Sequence, residues 1–149
     1  MDLLLTAKRA GPNGHAIGIE MTDPMVERPR TSATLKRYAS TRDPQRRCSC
    51  LAVLDDSIDV VISNGVLNLV PERERGFAEI IRLLKPGGCL HLADIALQVA
   101  LAEDARRNNS LWSGRIAGAL PETNLLRYLA QIGLEQVRIT KRFDLTASA

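Results

Sequence analysis

The clearest pattern along this chain is a pair of apolar strands separated by an amphipathic helix. Residues 58–62 form the run Ile-Asp-Val-Val-Ile, which is typical of a strand buried on both faces of a parallel sheet. A helix follows this strand and ends at the Lys-Pro-Gly-Gly turn at 85–88. Residues 89–96 then predict a second buried strand. This order predicts a right-handed crossover and a parallel pair. The apolar stripe of the helix recurs with helical spacing at Phe77, Ile80, Ile81 and Leu84.

Shorter signals predict the flanking elements. Residues 2–10 indicate a helix closed by Gly11. Residues 15–20 indicate a short apolar strand, and a Thr-Asp-Pro step then starts a helix that Pro29 interrupts early. The remaining predicted elements are a helix near 97–107, a helix over 122–132 and a strand over 134–139.

Composition narrows the class of protein. A chain of 149 residues fits one domain, and 45% apolar with 25% charged residues excludes wholesale disorder. Aromatic residues make up 3%, too few for a base-stacking platform. No apolar run approaches the roughly 20 residues that cross a bilayer, and the N-terminus lacks the basic flank of a secretion signal. The odd number of cysteines suits a reducing compartment, so we predict a cytoplasmic protein with no membrane partner.

The net charge of +3 is unevenly distributed. Residues 27–47 contain seven Lys and Arg against two acids, a local charge of +5. This stretch is compatible with a nucleic-acid-binding arm or with a solvated helix and loop. Without aromatic interleaving the solvated alternative is favoured, and no nucleic-acid partner is expected.

Polar side chains stand at the carboxyl ends of the predicted strands, where open parallel sheets bind ligands. Glu20 can accept both ribose hydroxyls of a nucleotide cofactor, or it is an exposed acid at a strand end. Asn64 offers a donor and an acceptor beside Gly65, which permits close approach of a ligand, or it is a turn residue. Asp94 lines a pocket or merely ends a strand.

Two further groups are weaker candidates. Cys48 and Cys50 form a C-x-C pair that binds soft metals or metalloids in some proteins, but such a pair is more often two small hydrophobic residues. His15 and His91 have no acid or nucleophile beside them in the sequence and are interpreted as strand residues. The sequence contains no Ser-His-Asp arrangement, P-loop or zinc motif, and we expect no metal site.

Five segments together resemble a known family. They are GPNGHAIGIEMTDPM at 11–25, IDVVISNGVLNL at 58–69, LKPGG at 84–88, ADI at 93–95 and LWSGRIAGALP at 111–121. In this order they strongly resemble class I S-adenosylmethionine-dependent methyltransferases, and most closely the arsenite methyltransferase branch. The resemblance covers most of the chain.

The resemblance implies an α/β fold, namely a partial doubly wound, Rossmann-like methyltransferase sheet that is mostly parallel. It places the first strand of the family and its glycine-rich loop before Met1, so we expect a single truncated domain over residues 1–149 that lacks this strand. If the chain folds alone, the strands at Ile17 and Val60 should be direct parallel neighbours, since a gap would leave backbone groups unpaired. An exposed sheet edge also favours self-association.

The resemblance also implies the cofactor S-adenosylmethionine. Glu20 would contact the ribose, Met21 would lie beside the adenine, and Ser63 and Asn64 would complete the cofactor-binding set. Asn64, near the methyl group, is the implied catalytic residue. The implied substrate-binding residues are Asp94 and Trp112.

The implied function is methyl transfer to As(III) or to another small-molecule acceptor. The substrate cysteines of the family correspond to Gly65 and Arg115 in this chain. The alternative hypothesis is a noncatalytic methyltransferase-like remnant or binding module.

Overall fold

The computed structural model of the protein describes residues 2–19 and 53–144. The helix expected after the Thr-Asp-Pro step lies outside these residues. None of the helices in the two described ranges is both long and apolar enough to cross a bilayer. The elements are α1 (Asp2–Ala10), β1 (Ile58–Asn64), the 3-10 turn η1 (Leu67–Leu69), α2 (Arg73–Leu83), β2 (Leu84–Ala93), α3 (Glu103–Arg106), α4 (Asn109–Ser113) and α5 (Glu122–Gln131).

The strands β1 and β2 form a parallel, two-stranded sheet, as their order around one helix predicts. Val61 lies opposite Leu90, and Asn64 at the end of β1 lies opposite Ala93 at the end of β2. A parallel pair needs a long connection, which α2 supplies. The carboxyl ends of the two strands therefore meet at the same edge of the sheet.

The hydrophobic core lies on one face of this sheet. Phe77 of α2 is 1% exposed, and its ring centroid lies 5.4 Å from that of Tyr128 in α5, in a T-shaped arrangement. Val61 and Leu90 pack against this cluster from the sheet. Burial in the core raises the pKa of the Tyr128 hydroxyl. The apolar stripe of α2 thus covers one face of β1 and β2 together with α5.

The other face of β1 is exposed, so the prediction of burial on both faces is wrong. Val60 and Ile62 are 48% and 51% exposed. Both line an open cleft of about 3510 Å³, which we call the sheet cleft; segments 5–17 and 133–144 also line it. The apolar composition of β1 could not reveal this, because it does not say which elements cover each face.

Two predicted strands do not form within the described residues. Segments 15–19 and 134–139 have no regular secondary structure. The prediction that Ile17 and Val60 lie in neighbouring strands is wrong, because the segment that contains Ile17 forms no strand and the described sheet consists of β1 and β2. Apolar alternation favours a strand only where another strand supplies the backbone hydrogen bonds.

The helix predicted near 97–107 is replaced by the shorter helices α3 and α4. Leu97 forms a parallel bridge with Pro121 instead. Its N–H donates to the Leu120 carbonyl at 2.9 Å, and its own carbonyl accepts from the Glu122 N–H at 3.0 Å. These bonds hold Leu97 out of a helix. The helices predicted over 2–10 and 122–132 are confirmed as α1 and α5.

An arginine at the end of α2 holds the segment that precedes β1. Arg82 donates to the Glu79 carboxylate at 3.0 and 2.8 Å and to the Val53 carbonyl at 2.9 Å, and it pairs with Asp55. The hydrogen bonds to Glu79 and then to Asp55 raise the pKa of the Arg82 guanidinium above its usual value. The entry to β1 is therefore fastened to α2.

Candidate functional site

The polar ends of β1 and β2 lie side by side. Asn64 pairs with Ala93, and the Gly65 N–H donates to the Ala93 carbonyl at 2.8 Å. Because Asp94 follows β2 directly, the structure brings Ser63, Asn64 and Asp94 to one edge of the sheet. Their roles in binding and catalysis stay predictions.

Asn64 belongs to the exposed face of β1. It lines the sheet cleft together with Val60 and Ile62. Its carboxamide contains both a donor and an acceptor, which suits recognition of a polar ligand. Ser63 is half-buried and lies opposite Leu92 in the register. Asn64 is therefore exposed in the sheet cleft, at the position where parallel sheets bind ligands.

The Asp94 carboxylate organises the backbone beside this edge. One oxygen accepts the Ile95 N–H at 2.9 Å, and the other accepts the Asn68 N–H at 3.2 Å. The Asn68 side chain, in a residue that is 7% exposed, donates to the Ile95 carbonyl at 2.8 Å. Asp94 thus ties η1 to the end of β2. Sequence reasoning missed Asn68, although a polar residue within the apolar run 66–70 is a signal of a buried hydrogen bond.

A glycine packs directly against this network. A Cβ added to Gly118 would collide with the Asn68 carbonyl oxygen and would lie 2.9 Å from the carbonyl carbon. Such a close approach of two backbone segments requires glycine. Gly118 therefore fixes the loop after α4 against η1.

Arg73, at the start of α2, lies within electrostatic range of the Asp94 carboxylate. Burial lowers the pKa of the Arg73 guanidinium, and the carboxylate of Glu74 opposes this effect. The Arg106 charge lowers the pKa further, while Asp94 raises it. Arg73 is thus coupled electrostatically to the carboxylate that ties η1 to the end of β2.

Arg115 lies over the end of β1. Gly65 is buried with φ of +65°, and a Cβ added there would lie 2.9 Å from Cζ and 3.3 Å from Nε of Arg115. Arg115 itself has φ of +64°. No spacing in the sequence predicts this contact, because Arg115 comes from the loop after α4, but the resemblance does place Gly65 and Arg115 at the positions of the family's substrate cysteines.

Comparison with known proteins decides the family. The family model described as "Methyltransferase domain" matches residues 2–139 of the chain. The chain belongs to this methyltransferase family. The resemblance seen in the sequence is thereby confirmed.

Curated relatives of this methyltransferase-family chain include arsenite methyltransferases. That of Halobacterium salinarum is 32% identical over 145 residues, which are 97% of this chain and 37% of that protein. That of Mus musculus is 30% identical over 141 residues, which are 89% of this chain and 38% of that protein. The chain thus spans less than half the length of these relatives.

A solved structure shows the same fold. CrArsM, an arsenic(III) S-adenosylmethionine methyltransferase from Chlamydomonas reinhardtii, matches with a TM-score of 0.74 at 26% identity. The match covers 89% of this chain and 47% of that one. The expected Rossmann-like methyltransferase fold is therefore confirmed for this chain.

Trp112 is separated from the other predicted site residues. It lies in α4, is half-buried, and is not among the residues that line the sheet cleft. Its carbonyl accepts the Arg115 N–H at 2.8 Å, so it contributes to this region through its backbone. Its role in substrate binding stays a prediction.

Several sequence candidates lie outside the described residues. Glu20 and Met21, expected at the cofactor ribose and adenine, are among them, as are Cys48 and Cys50. Cys89 lies exposed on β2. In the two described ranges, no group of three or more His, Cys, Asp or Glu side chains could hold a metal ion.

Proposed function

We propose that the protein binds S-adenosylmethionine at the carboxyl end of β1 and transfers its methyl group to a small-molecule acceptor. The observation that carries the proposal is the position of Asn64. Its carboxamide lies at the end of a parallel strand and lines the sheet cleft, in a chain that belongs to a methyltransferase family.

The described residues fit part of this cofactor. The Asn64 carboxamide can both donate and accept a hydrogen bond, and it lines the sheet cleft. The sheet cleft places the apolar side chains of Val60 and Ile62 next to Asn64, as in ligand pockets that combine apolar walls with a few polar groups. Glu20 and Met21 would hold the ribose and the adenine.

The role of the protein in this reaction is to position the two reactants and exclude water. When bound, S-adenosylmethionine supplies a methyl group on a positively charged sulfur that is already reactive. Asn64 would orient the cofactor at the end of β1, while Val60 and Ile62 offer an apolar surface beside it. Holding both reactants in line lowers the entropic part of the barrier without acid or base catalysis.

Cofactor binding is tested by isothermal titration with S-adenosylmethionine and with its demethylated product, S-adenosylhomocysteine. We expect saturable binding of both by the wild type. Because Asn64→Ala removes a hydrogen-bonding group, this variant should bind about tenfold more weakly. Glu20→Gln should weaken binding in the same direction.

Asn124→Ala is the matched control, because Asn124 is exposed on α5 and does not line the sheet cleft. Its affinity should equal that of the wild type. An absence of heat at millimolar S-adenosylmethionine would contradict the proposal and favour the noncatalytic binding module. The names of the relatives make arsenite the first acceptor to assay with the bound cofactor.

We also propose that two copies of the chain associate through the edge of β1 that faces away from β2. Among the described residues β1 pairs with β2 alone, and an unpaired strand edge favours pairing with another chain. Sedimentation velocity should detect dimers that Val60→Lys converts to monomers. Ala130→Lys, at an exposed residue of α5 that does not line the sheet cleft, should leave the dimers intact. Dimers that persist equally in both variants would contradict the proposal.

A further inference from the structure

The guanidinium of Arg115 covers the end of β1. Its Cζ and Nε lie within 2.9 and 3.3 Å of the position that a Cβ on Gly65 would take. Arg115 lines the sheet cleft, as does Asn64, which precedes Gly65 directly. The donors of Arg115 therefore lie over the residue that follows Asn64.

Arg115 is one of several described arginines that have no acidic partner. Arg75, Arg82, Arg107 and Arg142 each form an ion pair with a carboxylate. The Arg115 side chain, by contrast, makes no hydrogen bond or ion pair with the part of the chain that the structure describes. Its five N–H donors are available to a ligand that enters the sheet cleft.

The backbone of Arg115 is in a conformation that disfavours arginine. Its φ of +64° lies in the left-handed region, where a residue with a side chain is strained and glycine is not. Its N–H is held by the Trp112 carbonyl at 2.8 Å. Glycine adopts this φ without strain, so the backbone conformation does not explain an arginine here.

We propose that Arg115 binds an oxyanion of the methyl acceptor above Gly65. The planar fork of a guanidinium matches two oxygens of a carboxylate or a phosphate. The acceptor would then be a small molecule that carries one of these groups, held beside Asn64. This inference rests on the proposed function, since it names the class of substrate that the same site would take.

The test is an NMR titration of the protein with sodium phosphate and, in a separate arm, with sodium acetate. Sodium chloride keeps the ionic strength constant, because screening alone alters exposed charges. We expect saturable shifts of the Arg115 Nε–Hε resonance and of the Gly65 amide. The arm with the tighter binding identifies phosphate or carboxylate as the preferred group. Shifts in neither arm overturn the inference.

Two variants separate binding by Arg115 from a general effect of charge. Arg115→Gln should weaken the apparent affinity, followed at the Gly65 amide, about tenfold, as expected for the loss of hydrogen bonds to a charged group. Arg115→Gly should weaken it equally and is expected to remain folded, because glycine adopts the positive φ freely. An unchanged affinity in both variants would overturn the inference.

Arg107→Gln is the control, since Arg107 is an exposed arginine that pairs with Glu103 and does not line the sheet cleft. Its affinity for phosphate and acetate should match that of the wild type. The titrations omit S-adenosylmethionine, so they are independent of cofactor binding. Oxyanion binding without cofactor binding would contradict the proposed function alone, and the reverse result would contradict the role of Arg115 alone.

Discussion

Phe77→Ala is expected to lower the free energy of unfolding by about 3 to 5 kcal/mol, which is the usual cost of emptying a buried phenylalanine site. Phe77 is the most deeply buried large side chain of the described core and contacts Tyr128 edge-on. Phe77 extends from α2 and packs against α5 and the covered face of the sheet, so no neighbouring element can fill the space fully. Urea denaturation followed by circular dichroism measures the change.

Phe143→Ala is the matched control for this variant. Phe143 is 74% exposed, and its ring contacts the Lys141 ammonium at 4.6 Å on the surface. Its replacement should change stability by no more than about 0.5 kcal/mol, as is usual for surface positions. Equal losses in the two variants would show that the core is not built around Phe77.

Gly118→Ala is expected to destabilise the protein by about 1 to 3 kcal/mol, which is typical of an added group in a tightly packed site. The new Cβ would collide with the Asn68 carbonyl, which belongs to the backbone and cannot rotate away. Because Asn68 also bonds to Asp94, the strain should reach the end of β2. Thermal unfolding measures the loss, and shifts of the Asn68 and Ile95 amide resonances locate it.

Gly76→Ala provides the opposite case. Gly76 lies inside α2, and a Cβ there would meet Val70 at 3.5 Å and Leu67 at 3.6 Å, which are ordinary contact distances. Alanine should therefore raise stability by about 1 kcal/mol through its helix propensity. A destabilised Gly76→Ala variant together with an unaffected Gly118→Ala variant would contradict the packing described for both glycines.

The sequence predicted the central elements because their signals are local. The β-branched run of β1 and the apolar stripe of α2 are sufficient to identify a strand and a helix. Exposure depends on partners instead, and no local pattern shows that Val60 and Ile62 face an open cleft. The strand predicted over 134–139 did not form for the same reason, since strands exist only in pairs.

The candidate site was predictable where strand order alone determines it. Parallel strands place Asn64 and Asp94 at one edge whatever the rest of the chain does. The contact between Arg115 and Gly65 depends on the path of the loop after α4, which no spacing in the sequence reveals. The relation between Glu20 and Asn64 stays a prediction, because Glu20 lies outside the described residues.

Alternate residues of β1 serve different purposes, and this has an evolutionary consequence. Val61 belongs to the packed face, whereas Val60, Ile62 and Asn64 line the sheet cleft. Selection for a new substrate can therefore act on Val60, Ile62 and Asn64 while Val61 preserves folding. Within one strand, adaptation and structural integrity are separable traits, so catalytic divergence in such a protein need not reduce its thermal tolerance.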